Sequence, residues 1–265
     1  MEKDRNKLIS KFFHKGRTNP EINQQGAGYS RRTFFKILMG GLGLIVVPYA
    51  LLKGSEVLTP ENIPGRGKEI NNTPYKMSLE PKPLPQSRPP IGGGYRGNFT
   101  IFNVAGMPAF TDDTWGFSIN GLVRNPLSYS WKEFLNLPRQ VHVVDFHCVT
   151  GWSVNNVTYE GIPISNLLNL VHPGEDARYV RFYSGDGVYT DTLTMAQALR
   201  EDVMVALLID GKPIDQEHGG PARLIVPGMY GYKSVKYLVR MELTKELSKG
   251  YWEERGYNVD AWVEN

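Results

Sequence analysis

Val144-Asp145-Phe146-His147-Cys148-Val149-Thr150-Gly151-Trp152 holds the only cysteine in a chain of 265 residues. A lone cysteine closes no intrachain disulfide, so this thiol needs another explanation. Just upstream, Gln140 to Phe146 alternates in polarity and is rich in β-branched residues. That pattern predicts a strand that delivers His147 and Cys148 at its end. Thiolate sulfur is a soft, strongly donating group, suited to a soft metal or to nucleophilic attack. A free cysteine is equally at home as a small buried hydrophobe.

Outward from this strand the pattern is one of short elements. Trp115 to Asn120 reads as a strand, with Asn120-Gly121 a tight turn into Leu122-Val123. Ser130-Trp131-Lys132-Glu133 is a capping box that opens a short helix ending before Pro138. Another short helix follows Pro163, up to Val171. Tyr179–Ser184 and Val188–Leu193 flank Gly185-Asp186-Gly187 as a hairpin, and Thr194 caps a helix from Met195 to Leu199. Val203 to Ile209 is a continuous apolar run, the signature of a buried strand that turns at Asp210-Gly211. Ala222–Val226 and Ser234–Leu243 read as two further strands. Together these predict an α+β fold of mixed β-sheets with short helices.

The N-terminal part is of a different kind. Residues 1–29 are polar and lysine-rich, with too little apolar area to offset the entropy of ordering. Ser30-Arg31-Arg32-Thr33-Phe34-Phe35-Lys36 then precedes an uncharged run from Ile37 to Leu52, the layout of an export signal. The paired arginines resemble the twin-arginine consensus, which implies the twin-arginine translocation machinery as a partner and a periplasmic or extracytoplasmic location. No clean A-x-A cleavage site follows, so residues 30–52 are expected to act as a signal or to remain as a membrane anchor. Residues 53–94, rich in proline and closed by Gly92-Gly93-Gly94, read as an extended linker. The folded domain is expected over residues 95–265. Net charge is only +3, and the basic excess is concentrated at the N-terminus. No nucleic-acid partner is therefore expected, since that would need a basic stripe on the folded domain. Neither a G-x-G-x-x-G after a strand nor a G-x-x-x-x-G-K-[ST] is present.

Four chemistries compete for Cys148. As a nucleophile it would need a base, but adjacent His147 projects to the opposite face of an extended chain. His142 and His218 remain possible bases. A zinc site would need three or four closely spaced ligands, a pattern that His14, His142, His147, His172 and His218 do not form. The remaining readings are a structural thiol and a single thiolate on a metal whose other ligands belong to a cofactor. Glu217 to Lys236 favours the last. Its glycines let backbone N–H groups approach a ligand, and Arg223, Lys233 and Lys236 bring positive charge suited to a phosphate.

Several blocks in chain order carry a resemblance. They are Asn98-Phe99 to Pro108, Ile119 to Val123, His147 to Trp152, Tyr159 to Pro163, His218 to Arg223, Pro227 to Lys236 and Gly250 to Tyr257. In these the chain resembles the molybdopterin-dependent oxidoreductases of the sulfite oxidase superfamily. The resemblance implies a molybdenum–molybdopterin cofactor with Cys148 as its protein ligand and catalytic thiolate. It further implies that His218 and Arg223 contact the pterin or its phosphate, and that Ser234, Val235 and Lys236 line the phosphate end. Phe102 and Asn103 match the segment that lies along the pterin, and Ser184 is a further contact candidate. Trp152 either lines the pocket or is a core aromatic.

Sulfite oxidases gather arginines around an anionic substrate, whereas Val149 to Asn156 contains none. A small, neutral S- or N-oxide-type substrate is therefore expected to exchange an oxygen atom. By architecture the chain is similar to exported bacterial reductases of the superfamily, methionine-sulfoxide-reductase catalytic subunits among them. Neither a cytochrome domain nor an immunoglobulin-like domain is expected, so electrons would come from a separate haem-containing membrane or periplasmic protein. The competing expectations are a sulfite-oxidising enzyme of the same superfamily and a non-catalytic exported binding module that keeps the fold.

Overall fold

The computed structural model describes residues 75–95 and 99–263. The polar residues 1–29, the twin-arginine-like segment 30–52, the first part of the Pro-rich stretch and Asn98 lie outside the described residues. Among the described residues no helix is long and apolar enough to cross a membrane.

Two five-stranded sheets form the body. The first is built from β1 (Gly116–Gly121), β2 (Leu127–Ser130), β5 (Tyr179–Ser184), β6 (Thr190–Thr194) and β10 (Leu238–Thr244). Its order is β2-β1-β10-β5-β6, with β1 and β10 parallel and the other neighbours antiparallel. The second contains β3 (Gln140–His147), β4 (Ser153–Pro163), β7 (Met204–Ile209), β8 (Lys212–Pro213) and β9 (Arg223–Ile225), with β9 pairing β7. Short helices α1 (Trp131–Leu135), α2 (Ile164–Val171) and α3 (Met195–Ala198) join them. The expected α+β mixture is the observed one.

Side-chain alternation explains why β7 is apolar throughout. Val205 and Leu207 enter a core shared with Phe117, Ile119, Val180 and Phe182 of the first sheet and with Leu167 and Leu168 of α2. Met204 and Ala206 enter a second cluster with Val154, Val157 and Tyr159, against which Phe99, Val144 and Trp152 pack. The second sheet is thus covered on both faces, which removes the polar half of the strand pattern. Both capping boxes form: Ser130 with Glu133 at α1, and Thr194 with Gln197 at α3.

Three elements differ from expectation. β4 is the longest strand, yet its polar first half (Ser153, Asn155, Asn156) and fully buried second half leave no alternation to read. The strand expected over Ser234–Leu243 begins only at Leu238, because Ser234 and Val235 are engaged by the β9 segment: Val226 N–H donates to Ser234 Oγ at 3.1 Å and Leu224 N–H to the Val235 carbonyl at 2.8 Å. Tyr237 has a left-handed φ of 54°, and its N–H goes to the Gly219 carbonyl at 2.9 Å. Finally, Asn120-Gly121 closes no hairpin; both residues lie in β1, paired to β10.

The proline-rich stretch from Tyr75 to Tyr95 lies against this body. Trp131 Nε1 donates to the Leu79 carbonyl at 2.7 Å, and the Asp112 carboxylate accepts the N–H groups of Ser78 and Leu79. Leu84 N–H donates at 2.9 Å to Glu160, whose buried carboxylate also pairs with Arg139 at 2.9 Å. Extended backbone has no internal partners, so its N–H and C=O groups look outward for them.

Candidate active site

Cys148 sits at the tip of the β3–β4 hairpin. Its N–H donates to the Trp152 carbonyl, and Gly151 N–H donates back to the Cys148 carbonyl, each at 2.9 Å. The sulfur is half-buried, 3.1 Å from Thr150 Oγ1. His147 is turned away, its Nδ1 2.8 Å from Ser153 Oγ, while His142 Nε2 is buried without a partner. Neither histidine is therefore bonded to the sulfur as a base would be. Among the described residues no group of three or more His, Cys, Asp or Glu side chains is placed to hold a metal by itself.

The hairpin tip is held against the loop that precedes β10. His147 bridges Tyr230, and Phe146 packs where a side chain at Gly231 would go: a Cβ there would lie 2.2 Å from the ring. The Arg223 guanidinium lies over the other side of this arrangement, 5.8 Å from the Phe146 ring centre. Phe99 meets Phe146 edge-on at 5.0 Å and the His218 ring at 6.0 Å. Trp152 stacks on Phe146 at 5.6 Å and packs on the second core cluster.

Arg223 is 4% exposed, and no carboxylate faces it. It donates to the carbonyls of His218 (2.8 Å) and Ser234 (3.2 Å), and its Nε has no partner. Burial lowers the guanidinium's proton affinity. Lys236 is half-buried and likewise has only neutral acceptors: the carbonyls of Phe102 (3.1 Å) and Glu217 (2.9 Å), and Asn103 Oδ1 (3.2 Å). Burial, then the nearby charge of Arg223, brings its pKa down to about 7. Tyr237 OH donates to the same Asn103 oxygen at 3.0 Å. Gly219, at φ 95°, carries no side chain because a Cβ would lie 2.5 Å from the Lys236 stem. His218 is fixed at both ring nitrogens, by Tyr95 OH at 2.8 Å and Asp215 at 2.6 Å.

The fold thus brings Phe102, Asn103, His218, Arg223, Ser234 and Lys236 into one bonded neighbourhood, with Cys148 reached through Phe146 and Phe99. Val235 is fully buried and offers that neighbourhood only its backbone. Ser184 pairs with Leu238, next to Tyr237; its hydroxyl accepts from Asp186 N–H, and the residue also lines a groove on the first sheet. Lys233, grouped with the phosphate-binding charges by sequence, is committed to structure. It is fully buried between Asp191 (2.5 Å) and Glu253.

Tyr257 was not singled out by sequence. Trp252 links its ring to Phe102, and burial, then the charge at Cys148, push its pKa up to about 12. Trp252 packs on Tyr257 at 5.1 Å and on Phe102 at 6.0 Å. Aromatic identity gave no cue to this placement in a tail rich in such residues.

One buried and one half-buried cation, neither bonded to a carboxylate, form a cradle suited to an anion. One half-buried thiol without companion ligands is compatible with a metal held chiefly by other donors. Both demands fit a phosphate-bearing pterin that carries a metal. Arg223 and Lys236 are able to hold its anionic end, and Cys148 its metal.

Comparison with known proteins agrees with this class of site. Residues 104–252 match the oxidoreductase molybdopterin binding domain family. The chain is 35% identical over 241 residues to the putative protein-methionine-sulfoxide reductase subunit YedZ1 of Azospira oryzae, covering 86% of each chain. It is 32% identical over 168 residues to the uncharacterized oxidoreductase YuiH of Bacillus subtilis, covering 62% of this chain and 84% of that one. The match to the protein-methionine-sulfoxide reductase catalytic subunit MsrP of Campylobacter jejuni is 29% identical and spans 54% of each protein. Among solved structures, the sulfane dehydrogenase SoxCD of Paracoccus pantotrophus superposes with a TM-score of 0.50 at 25% identity, over 54% of this chain and 41% of that one. The chain belongs to the molybdopterin-binding oxidoreductase family, within the sulfite oxidase superfamily. It is thereby an oxidoreductase by family, and a molybdenum–pterin cofactor is implied.

Proposed function

We propose that the chain reduces a sulfoxide, methionine sulfoxide in proteins being the favoured substrate, after export by the twin-arginine route. The substrate reading draws on the relative that matches over 86% of both chains and is named as a methionine-sulfoxide reductase subunit. The observation that carries the chemistry is the pairing of a lone half-buried thiol with two cations that bond only neutral acceptors.

When bound, the molybdenum cofactor supplies two-electron oxygen-atom transfer. This chain's residues do the rest. Cys148, at the tip of the β3–β4 hairpin, would offer one sulfur donor. Arg223 and Lys236 would hold the anionic end of the cofactor, and Asn103 orients Lys236. Burial, then the charge at Cys148, raise the proton affinity of Tyr257, which stays a neutral phenol through neutral pH. Sulfoxide reduction consumes two electrons and two protons and releases water. The electrons are proposed to come from a separate haem-containing membrane or periplasmic protein, in keeping with the term "subunit" in that relative's name.

The test is metal and pterin analysis of purified protein, combined with turnover of methionine sulfoxide using a reduced viologen dye. About one molybdenum and one pterin per chain, with activity abolished and metal lost in Cys148→Ser, are expected. An active, molybdenum-replete Cys148→Ser protein would overturn the assignment.

A further inference from the structure

The outer face of the first sheet carries an open groove of about 690 Å³. On β5, Val180 and Phe182 point into the core, which turns Arg181 and Tyr183 outward. Arg240 on β10 is in register with Tyr183, and its guanidinium lies 3.5 Å from that ring's centre. Arg181 approaches the same ring at 5.2 Å. Across the groove, Arg255 stacks 3.6 Å from the ring centre of Tyr251.

These three guanidiniums have little to bond. Each carries five N–H donors, and stacking on a ring leaves the donor edges free. Arg240 makes one long ion pair, 3.8 Å to Glu242, whose same oxygen accepts the Tyr183 hydroxyl. Arg181 donates to Thr190 Oγ1 at 3.3 Å, while its Nε is buried without a partner. Arg255 donates to the Tyr251 carbonyl at 2.6 Å. Glu254 is the one carboxylate among the lining residues.

We infer that this groove docks an acidic segment of a protein partner. Three cations, carried on two strands and a turn and set in an open groove, suit a run of carboxylates rather than one small anion. Arginine and tyrosine are also the residue types enriched where protein interfaces are centred. The half-exposed Val188 and Val239 add apolar contact between the charges. Ring contacts lead from the groove toward the site: Tyr251 packs on Trp252 at 5.2 Å, and Trp252 on Phe102 at 6.0 Å. Under the proposed function a docked reductant would stand at the outer end of these rings. The docking inference rests on the groove's charge and not on the reaction.

The test is fluorescence anisotropy of a labelled poly-glutamate peptide with the full-chain holoprotein at low ionic strength. The wild type binds, and affinity falls as salt is added. Arg240→Glu and Arg255→Glu each weaken binding by about ten-fold, and Arg240→Gln and Arg255→Gln by less. Molybdenum content and viologen-driven turnover stay at wild-type levels in all four. Loss of either would count against the proposed function's separation from this groove, whereas the peptide readout judges the groove alone. A peptide that does not bind the wild type, or binds the charge-reversed variants equally well, overturns the inference. Displacement of the peptide by equimolar inorganic sulfate also overturns it, by making the groove a small-anion site.

Discussion

Two clusters around lysine or arginine, one fully buried and one partly so, lie close together in the sequence and are built on opposite principles. Lys233 has Asp191 and Glu253 against its ammonium, with the Thr192 carbonyl at 2.9 Å. Burial pushes the Asp191 carboxyl upward against the pull of Lys233, and Glu253 adds to the rise. Arg223 and Lys236 have backbone carbonyls and one amide oxygen, and no carboxylate. The first cluster finds its countercharges within the chain and ties β6 to the C-terminal segment. The second is complete only with an anion from outside. A buried charge that the fold leaves uncompensated marks where a ligand is expected.

The sharpest way to break the contrast is to remove each cation in turn. Lys233→Met leaves two buried carboxylates facing one another, and should lower the unfolding free energy by about 3–5 kcal/mol in urea titrations. A loss below about 1 kcal/mol would mean that the cluster is not the closed unit described. Arg223→Met removes a cation that has no anion in the chain. Apoprotein stability should fall by only about 1–3 kcal/mol, for two carbonyls left unbonded. Pterin content should nevertheless drop by about ten-fold or more, measured as oxidised pterin fluorescence. Full pterin content in that variant would remove the anion cradle.

Proton linkage sharpens the comparison further. Lys236 titrates near 10.5 when unfolded and about 7 in the fold. The unfolded chain therefore binds the extra proton between these values, and this group's contribution to apoprotein stability falls as pH drops from about 10.5 to about 7. An anion favours the charged form, so its binding takes up a proton above about pH 7. Stabilisation of the apoprotein by sulfate should weaken by up to about ten-fold in affinity per pH unit above neutrality. Melting curves at several pH values check this, and Lys236→Met should flatten the profile. The smallest effect is expected for Tyr95→Phe, which frees one His218 nitrogen from its 2.8 Å bond. That should cost about 1 kcal/mol or less and leave the Lys233 cluster untouched, as read from unfolding curves.

The legible parts of this fold are those whose pattern is local. Val203 to Ile209 announces a strand covered on both faces, and the Ser130 box and the Thr194 cap announce helix starts, because each signal spans only a few residues. β4 was illegible because its two halves face different surroundings: polar hairpin residues first, then a stretch buried between β3 and β7. The break before β10 was illegible because β9 occupies the backbone and hydroxyl of Ser234 and Val235, a contact between segments. In the site, Cys148, His218, Arg223 and Lys236 stood out by residue type and motif. Tyr257 did not, since one tyrosine in an aromatic tail differs from the others only in what it touches.

The sequence by itself determined the inventory: one thiol at the end of a strand, a glycine-rich loop with its cations, and a mixed-sheet domain following a proline-rich stretch. Tertiary structure alone decided the allocation. It sent Lys233 to two carboxylates and left Arg223 and Lys236 without one. It also set Ser184 on an arginine-lined groove, and seated Tyr75 to Tyr95 on the body of the domain. The physical reason is that a charge or an extended backbone has no function until its partners are chosen. Those partners are distant in the chain: Lys233 meets Asp191, 42 residues before it, and Lys236 meets Phe102, 134 residues before it.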